Sequence, residues 1–130
     1  MLTAITVEVA PGELIDKITI LEIKLERMTD AEKLKNVRVE WETLTQARDA
    51  AIEPSDEITR LTAGLKEVNE ALWEIEDDIR DCERDKDFGE TFVKLARAVY
   101  VTNDKRADLK KQINLALGSR IVEEKSYAAY

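Results

Sequence analysis

The chain has 130 residues, 44% of them hydrophobic and 37% charged, with a net charge of −8. That apolar share supports one compact domain with a buried core. The negative charge repels nucleic-acid phosphates and anionic headgroups and no Lys/Arg cluster offsets it, so neither nucleic acid nor a membrane surface is an expected partner. There is no histidine, and Cys82 is the single cysteine. Ser-His-Asp and Cys-His mechanisms, an intrachain disulfide and a cysteine zinc cluster are thereby excluded. Gly12, Gly64, Gly89 and Gly118 stand singly, so there is no phosphate-cradling loop. No apolar run approaches the roughly 20 residues that span a bilayer, and the start of the chain lacks the basic-then-apolar pattern of a secretory signal, which makes a cytoplasmic location the expectation.

Ile5, Val7 and Val9 alternate with Thr6 and Glu8, the period of a short half-buried strand, until Pro11 and Gly12 break it. A helix is predicted from there to about Met28, with Pro11 in its first turn and Glu13 and Asp16 near the positive end of its dipole. Leu14, Ile18, Leu21, Leu25 and Met28 form one seam, while Ile15, Ile20 and Ile23 project from other sides, which suits a central helix. Thr29, Asp30, Ala31 and Glu32 have the residue types of a capping box at the start of a second helix. That helix carries Leu34, Val37, Trp41, Leu44 and Ile52 on one stripe and ends near Glu53, because Pro54 disfavours helical geometry before it.

A third helix begins at Ser55, Asp56 and Glu57 and reaches about Lys86. Its Ile58, Leu61, Leu65, Val68, Leu72, Ile75, Ile79 and Cys82 are spaced alternately three and four apart, an unbroken heptad seam of coiled-coil type. Some thirty residues at 1.5 Å each give roughly 45 Å, longer than a small domain needs, so a partner subunit and a homodimer are expected. Asp87, Phe88 and Gly89 mark the next break. Phe92, Leu95, Ala96, Val99, Leu109, Ile113 and Leu117 then support a fourth helix stopped by Gly118. Thr102, Asn103 and Arg106 interrupt its apolar stripe, so it buries polar groups, bends or faces a cavity there. Arg120 to Tyr130 show no clean period and are expected to be an irregular tail.

The run Pro11-Gly12-Glu13-Leu14-Ile15-Asp16-Lys17-Ile18-Thr19-Ile20-Leu21-Glu22-Ile23-Lys24, with Trp73-Glu74-Ile75-Glu76-Asp77-Asp78-Ile79-Arg80 and Tyr127, resembles a family of small bacterial proteins of unknown function over nearly the whole length. The resemblance implies a bacterial cytoplasmic protein of one domain and carries no assigned activity or site.

Chemistry has three candidate places. Glu74, Asp77, Asp78 and Asp81 crowd within two turns of the third helix and, with Glu22 and Glu26 of the first, could supply oxygen ligands to Mg²⁺. This is somewhat similar to the all-helical nucleoside triphosphate pyrophosphohydrolases, whose E-x-x-E and E-x-x-D pairs lie on neighbouring helices. Glu67/Glu70 and Glu74/Asp77 have those spacings, but both pairs fall on one helix and Glu22/Glu26 has a different step. The competing reading is a solvated acidic face threaded with Arg80, Arg84 and Lys86. Asn103 and Arg106 are the second candidate, as a buried polar pair or ligand site: a guanidinium on a core-facing stripe needs a carboxylate or a bound anion. Trp73, off the seam, is the third, covered by another element or serving as an anchor for a protein partner.

The sequence therefore predicts a mainly α protein, an antiparallel bundle of about four helices with a short strand before it and an irregular tail after it. The seams account for most apolar positions and leave no recognised catalytic set. The function expected is a non-catalytic protein–protein interaction or assembly module without a cofactor. The alternative is a Mg²⁺-dependent nucleotide or phosphate-ester hydrolase built on the six acids, with Arg106 as phosphate clamp.

Overall fold

The computed structural model describes residues 2–130. Four α-helices follow one another: α1 Pro11–Arg27, α2 Ala31–Ala51, α3 Asp56–Arg84 and α4 Glu90–Ala116. Their boundaries follow local chemistry. Pro11 opens α1 at the position where its missing N–H is no loss. Asp30, one residue later than the capping-box reading of Thr29, caps α2 by accepting from the Lys33 N–H at 3.0 Å. Ser55 caps α3 by accepting from the Ile58 N–H at 3.1 Å, directly after Pro54 has closed off α2. At the end of α4, Gly118 takes φ 63° and the Ser119 N–H returns to the Asn114 carbonyl at 2.9 Å. This closing geometry satisfies carbonyls the helix leaves free.

The strand expected over Ile5–Val9 does not form. Among the described residues there is no strand at all, and residues 2–9 make no helix, turn or bend and leave their apolar side chains exposed. A strand needs a second strand to receive its backbone hydrogen bonds. A chain folded into four helices offers none.

α1 is the hub. It packs against α2, α3 and α4, α3 also packs against α4, and α2 meets only α1. The apolar crowding around α1 seen in the sequence thus has three helical neighbours to bury against. The core joins Ile15 of α1 to Ile58, Leu61 and Leu65 of α3 and Ile113 of α4, with Ile52 and Leu109 at its edge. Each such side chain contributes about 1.5–3 kcal/mol on leaving water.

The heptad seam of α3 is covered unevenly. Ile58, Leu61 and Leu65 are buried, Val68, Leu72, Ile75 and Ile79 are only half-buried, and Cys82 is buried again. For Ile75 and Ile79 the reason is the length of α1. Its last residue, Arg27, reaches Glu70 at 3.7 Å and Glu74 at 3.2 Å, so beyond Glu74 the helical neighbour left to α3 is α4. No helix among the described residues is long and apolar enough to cross a membrane.

Candidate functional site

Asp16 lies on the inner side of α1, only 1% exposed. A carboxylate so placed is costly unless every oxygen is paired. Arg106 of α4 pairs with it twice: Nε donates to Oδ1 at 2.9 Å, and Nη2 donates to Oδ2 in a second, shorter bond. Asn69 of α3 adds a third bond, its Nδ2 donating to Asp16 Oδ1 at 2.9 Å and also to Thr19 Oγ1 at 2.9 Å. The Thr19 hydroxyl donates to the Asp16 carbonyl at 2.8 Å, which leaves its oxygen free to accept from Asn69. One residue from each of three helices therefore meets at this carboxylate. The hydrogen bond to Asp16 is the largest influence on Arg106 and raises its pKa, so the guanidinium is held firmly in its charged form.

A second polar junction lies one turn earlier on α1. The Gly12 N–H donates to Asn114 Oδ1 of α4 at 2.7 Å, and a Cβ at Gly12 would fall against the Lys110 carbonyl oxygen. Glycine is required there because the backbones of α1 and α4 approach so closely. Lys110 donates to Glu13 at 2.7 Å and to Glu123 of the tail at 3.3 Å. The tail continues along α4: Lys111 bonds Glu124, the Tyr130 hydroxyl donates to Asp104 at 2.6 Å, and the Tyr130 and Tyr100 rings meet edge to face at 5.2 Å.

Beside the Asp16 network a groove of about 510 Å³ opens between α1, α3 and α4. Ile20, Leu72 and Trp73 line it with apolar surface, and Asn103, Arg106, Asp77 and Arg80 add polar groups. Arg106 lines the groove while its fork stays on Asp16. Asn103 is exposed, because the inward stripe of α4 steps from Val99 to Thr102, Arg106 and Leu109 and leaves Asn103 on its flank. Trp73 is half-buried on the groove wall.

The acids of the Mg²⁺ reading are dispersed. Glu26 is bonded to Lys66, Glu74 to Arg27 and Asp81 to Arg84. Glu22 lies on the Lys66 side of α1, where its charge, after the hydrogen bond that Lys66 donates to Glu26 and the charge of Glu26, helps raise that lysine. Asp77 and Asp78 face solvent. Among the described residues, no three acidic or cysteine side chains come together in a set able to hold a metal ion. Cys82 is buried, and burial, followed by the charges of Asp87 and Asp81, pushes its thiol up, which disfavours the reactive thiolate.

Sequence reasoning missed Asp16, Asn69, Gly12 and Asn114. Asp16 and Gly12 carried a usable signal, since both lie near the start of a helix that is apolar around much of its circumference. Asn69 and Asn114 carried none, because an amide on a mixed helix reads as surface.

The chain belongs to a family of unknown function (DUF6165), which it matches over residues 5–130. No curated protein and no solved structure matches it.

Proposed function

We propose that this protein is a non-catalytic helical assembly module that works as a homodimer, with the second copy seated on the open side of α3 and α4 around Trp73. The observation that carries the reading is the half-covered seam: Leu72 is half-buried beside the end of α1, and Ile75 and Ile79, also half-buried, continue the seam of α3 past it. A second copy would supply the missing helices and complete a bundle of antiparallel, coiled-coil character.

The chemistry of the groove fits that occupant. Trp73 offers a large, rigid apolar surface of the kind that dominates interface energies. Asp77 and Arg80, the latter exposed and also bonded to Glu76 within α3, carry opposite signs in the groove lining, so two copies related by a two-fold axis can present complementary charges to one another. The charge of Arg106 is already balanced by Asp16, which leaves it little attraction for a phosphate. Asp16, Arg106, Asn69 and Thr19 are thus occupied with one another, and the surplus beside them is half-covered apolar area.

The test is Trp73→Glu. It places a charge on the groove wall and should raise the dimer dissociation constant at least about tenfold, for a loss of at least ~1.4 kcal/mol. Helix content should remain unchanged by circular dichroism. An unaltered association constant in the variant would remove Trp73 from the interface.

A further inference from the structure

Residues 2–9 leave their apolar side chains uncovered. Ile5, Val7 and Val9 are 79%, 69% and 46% exposed, and Thr3, Thr6 and the same three residues make the run rich in β-branched side chains. The backbone of residues 2–9 makes no helix, turn or bend, and Ala10, where it enters α1, is extended with φ and ψ of −67° and 144°. Among the described residues, no backbone hydrogen bond ties residues 2–9 to any other part of the chain. The one polar tie is Glu8, held by Arg120 at 2.6 Å. In an extended chain Glu8 points away from Ile5, Val7 and Val9, so this tie holds the segment while leaving its apolar side and its backbone free.

From this arrangement we propose that residues 3–9 are a docking strand, which adds to the open edge of a β-sheet in a partner protein. The pattern selects that partner. Alternation at period two aligns Ile5, Val7 and Val9 along about 13 Å of one face only when the backbone is pleated, and a pleated backbone is stabilised by an adjoining strand. This chain folds into helices and has no sheet to lend. A second copy could bring only one more such strand, and a ribbon of two strands is marginal in water. An existing sheet edge supplies both the hydrogen-bond ladder and, under its alternate positions, pockets for the three side chains. The match to the family begins at Ile5, so Ile5, Val7 and Val9 lie within the matched residues. The inference is independent of the dimer interface around Trp73.

The experiment uses the full chain in its own host cell, with the photo-crosslinking residue p-benzoylphenylalanine in place of Thr6. Adducts are digested and mapped by mass spectrometry. The expected result is an adduct to one partner whose crosslinked peptide lies on an edge strand of a sheet. Val7→Pro, which removes a ladder donor, should cut that adduct at least about tenfold, while Val7→Thr, which keeps the strand geometry, should retain most of it. Both variants should melt with the parent, because the segment stands outside the core. Adducts only to a second copy of this chain, adducts to helical surfaces, no partner adduct, or full crosslinking in Val7→Pro would each overturn the proposal.

Discussion

Arg106 and Asp16 stand ninety positions apart in the chain and close on one another through a two-point ion pair between α4 and α1. The carboxylate is 1% exposed and the guanidinium side chain 30%. With Asn69 donating to the same carboxylate oxygen, the pair fixes the register of three helices at one atom. Such a centre is a specifier more than a source of stability, since desolvating the two charges offsets much of their attraction.

Removing one partner is therefore far worse than removing both. Arg106→Ala leaves Asp16 buried with only Asn69 for company and should destabilise the fold by about 3 kcal/mol. Arg106→Lys should recover little, because an ammonium cannot reproduce the fork. The double change Asp16→Leu with Arg106→Met should be more stable than Arg106→Ala alone. Urea unfolding followed by circular dichroism measures all three, and an Arg106→Ala midpoint equal to the parent's would contradict the structural role given to the pair.

Gly12→Ala tests the other junction of α1 and α4. The added methyl meets the Lys110 carbonyl oxygen and sits 2.9 Å from Asn114 Oδ1, and both belong to the facing helix. Backbone cannot yield as a side-chain tip can, so the helices must separate, at a cost of about 1–3 kcal/mol. A Gly64→Ala change is the control, since its nearest neighbour, a Leu109 methyl, is 3.6 Å away in ordinary contact. Calorimetry should show a clear loss of Tm for the first and little for the second.

Helix type and number were readable because the seams of α1, α3 and α4 repeat over many turns, and Pro11, Ser55, Pro54 and Gly118 punctuate them chemically. The alternation of Ile5, Val7 and Val9 was equally clear, yet no strand formed, because strand formation depends on a neighbour the local pattern does not encode. The site was less legible for the same reason. Arg106 announced its need for a carboxylate, but nothing in a one-dimensional reading ranks Asp16 above more than a score of other acids. Asn103 read as inward by its neighbours and lies outside by one step of the helix.

The tail along α4 should respond to pH at both ends. Glu123 is held below its ordinary range, first by the hydrogen bond from Lys125 and then by the charge of Lys110. A depressed folded pKa gives stabilisation that is present above the unfolded glutamate value and is lost as pH falls through the folded one. Tyr130 is shifted the other way, its hydroxyl raised by its hydrogen bond to Asp104. That contribution is present below the unfolded tyrosine value and is lost as pH rises through the folded one. Amide chemical shifts of residues 123–130 should therefore move together in acid and again in alkali while those of Ile15 and Ile113 stay fixed. A tail that moves only with the core would contradict its attachment through these two groups.

The homodimer is tested most directly by sedimentation equilibrium of the unmodified chain at concentrations from about 1 to 100 µM. Leu72, Trp73, Ile75 and Ile79 are half-buried by the four helices of one copy, and on the proposed reading a second copy covers them, so the fitted mass should approach twice that of the chain, with dissociation on dilution. A single-chain mass across the whole range would contradict the assembly reading.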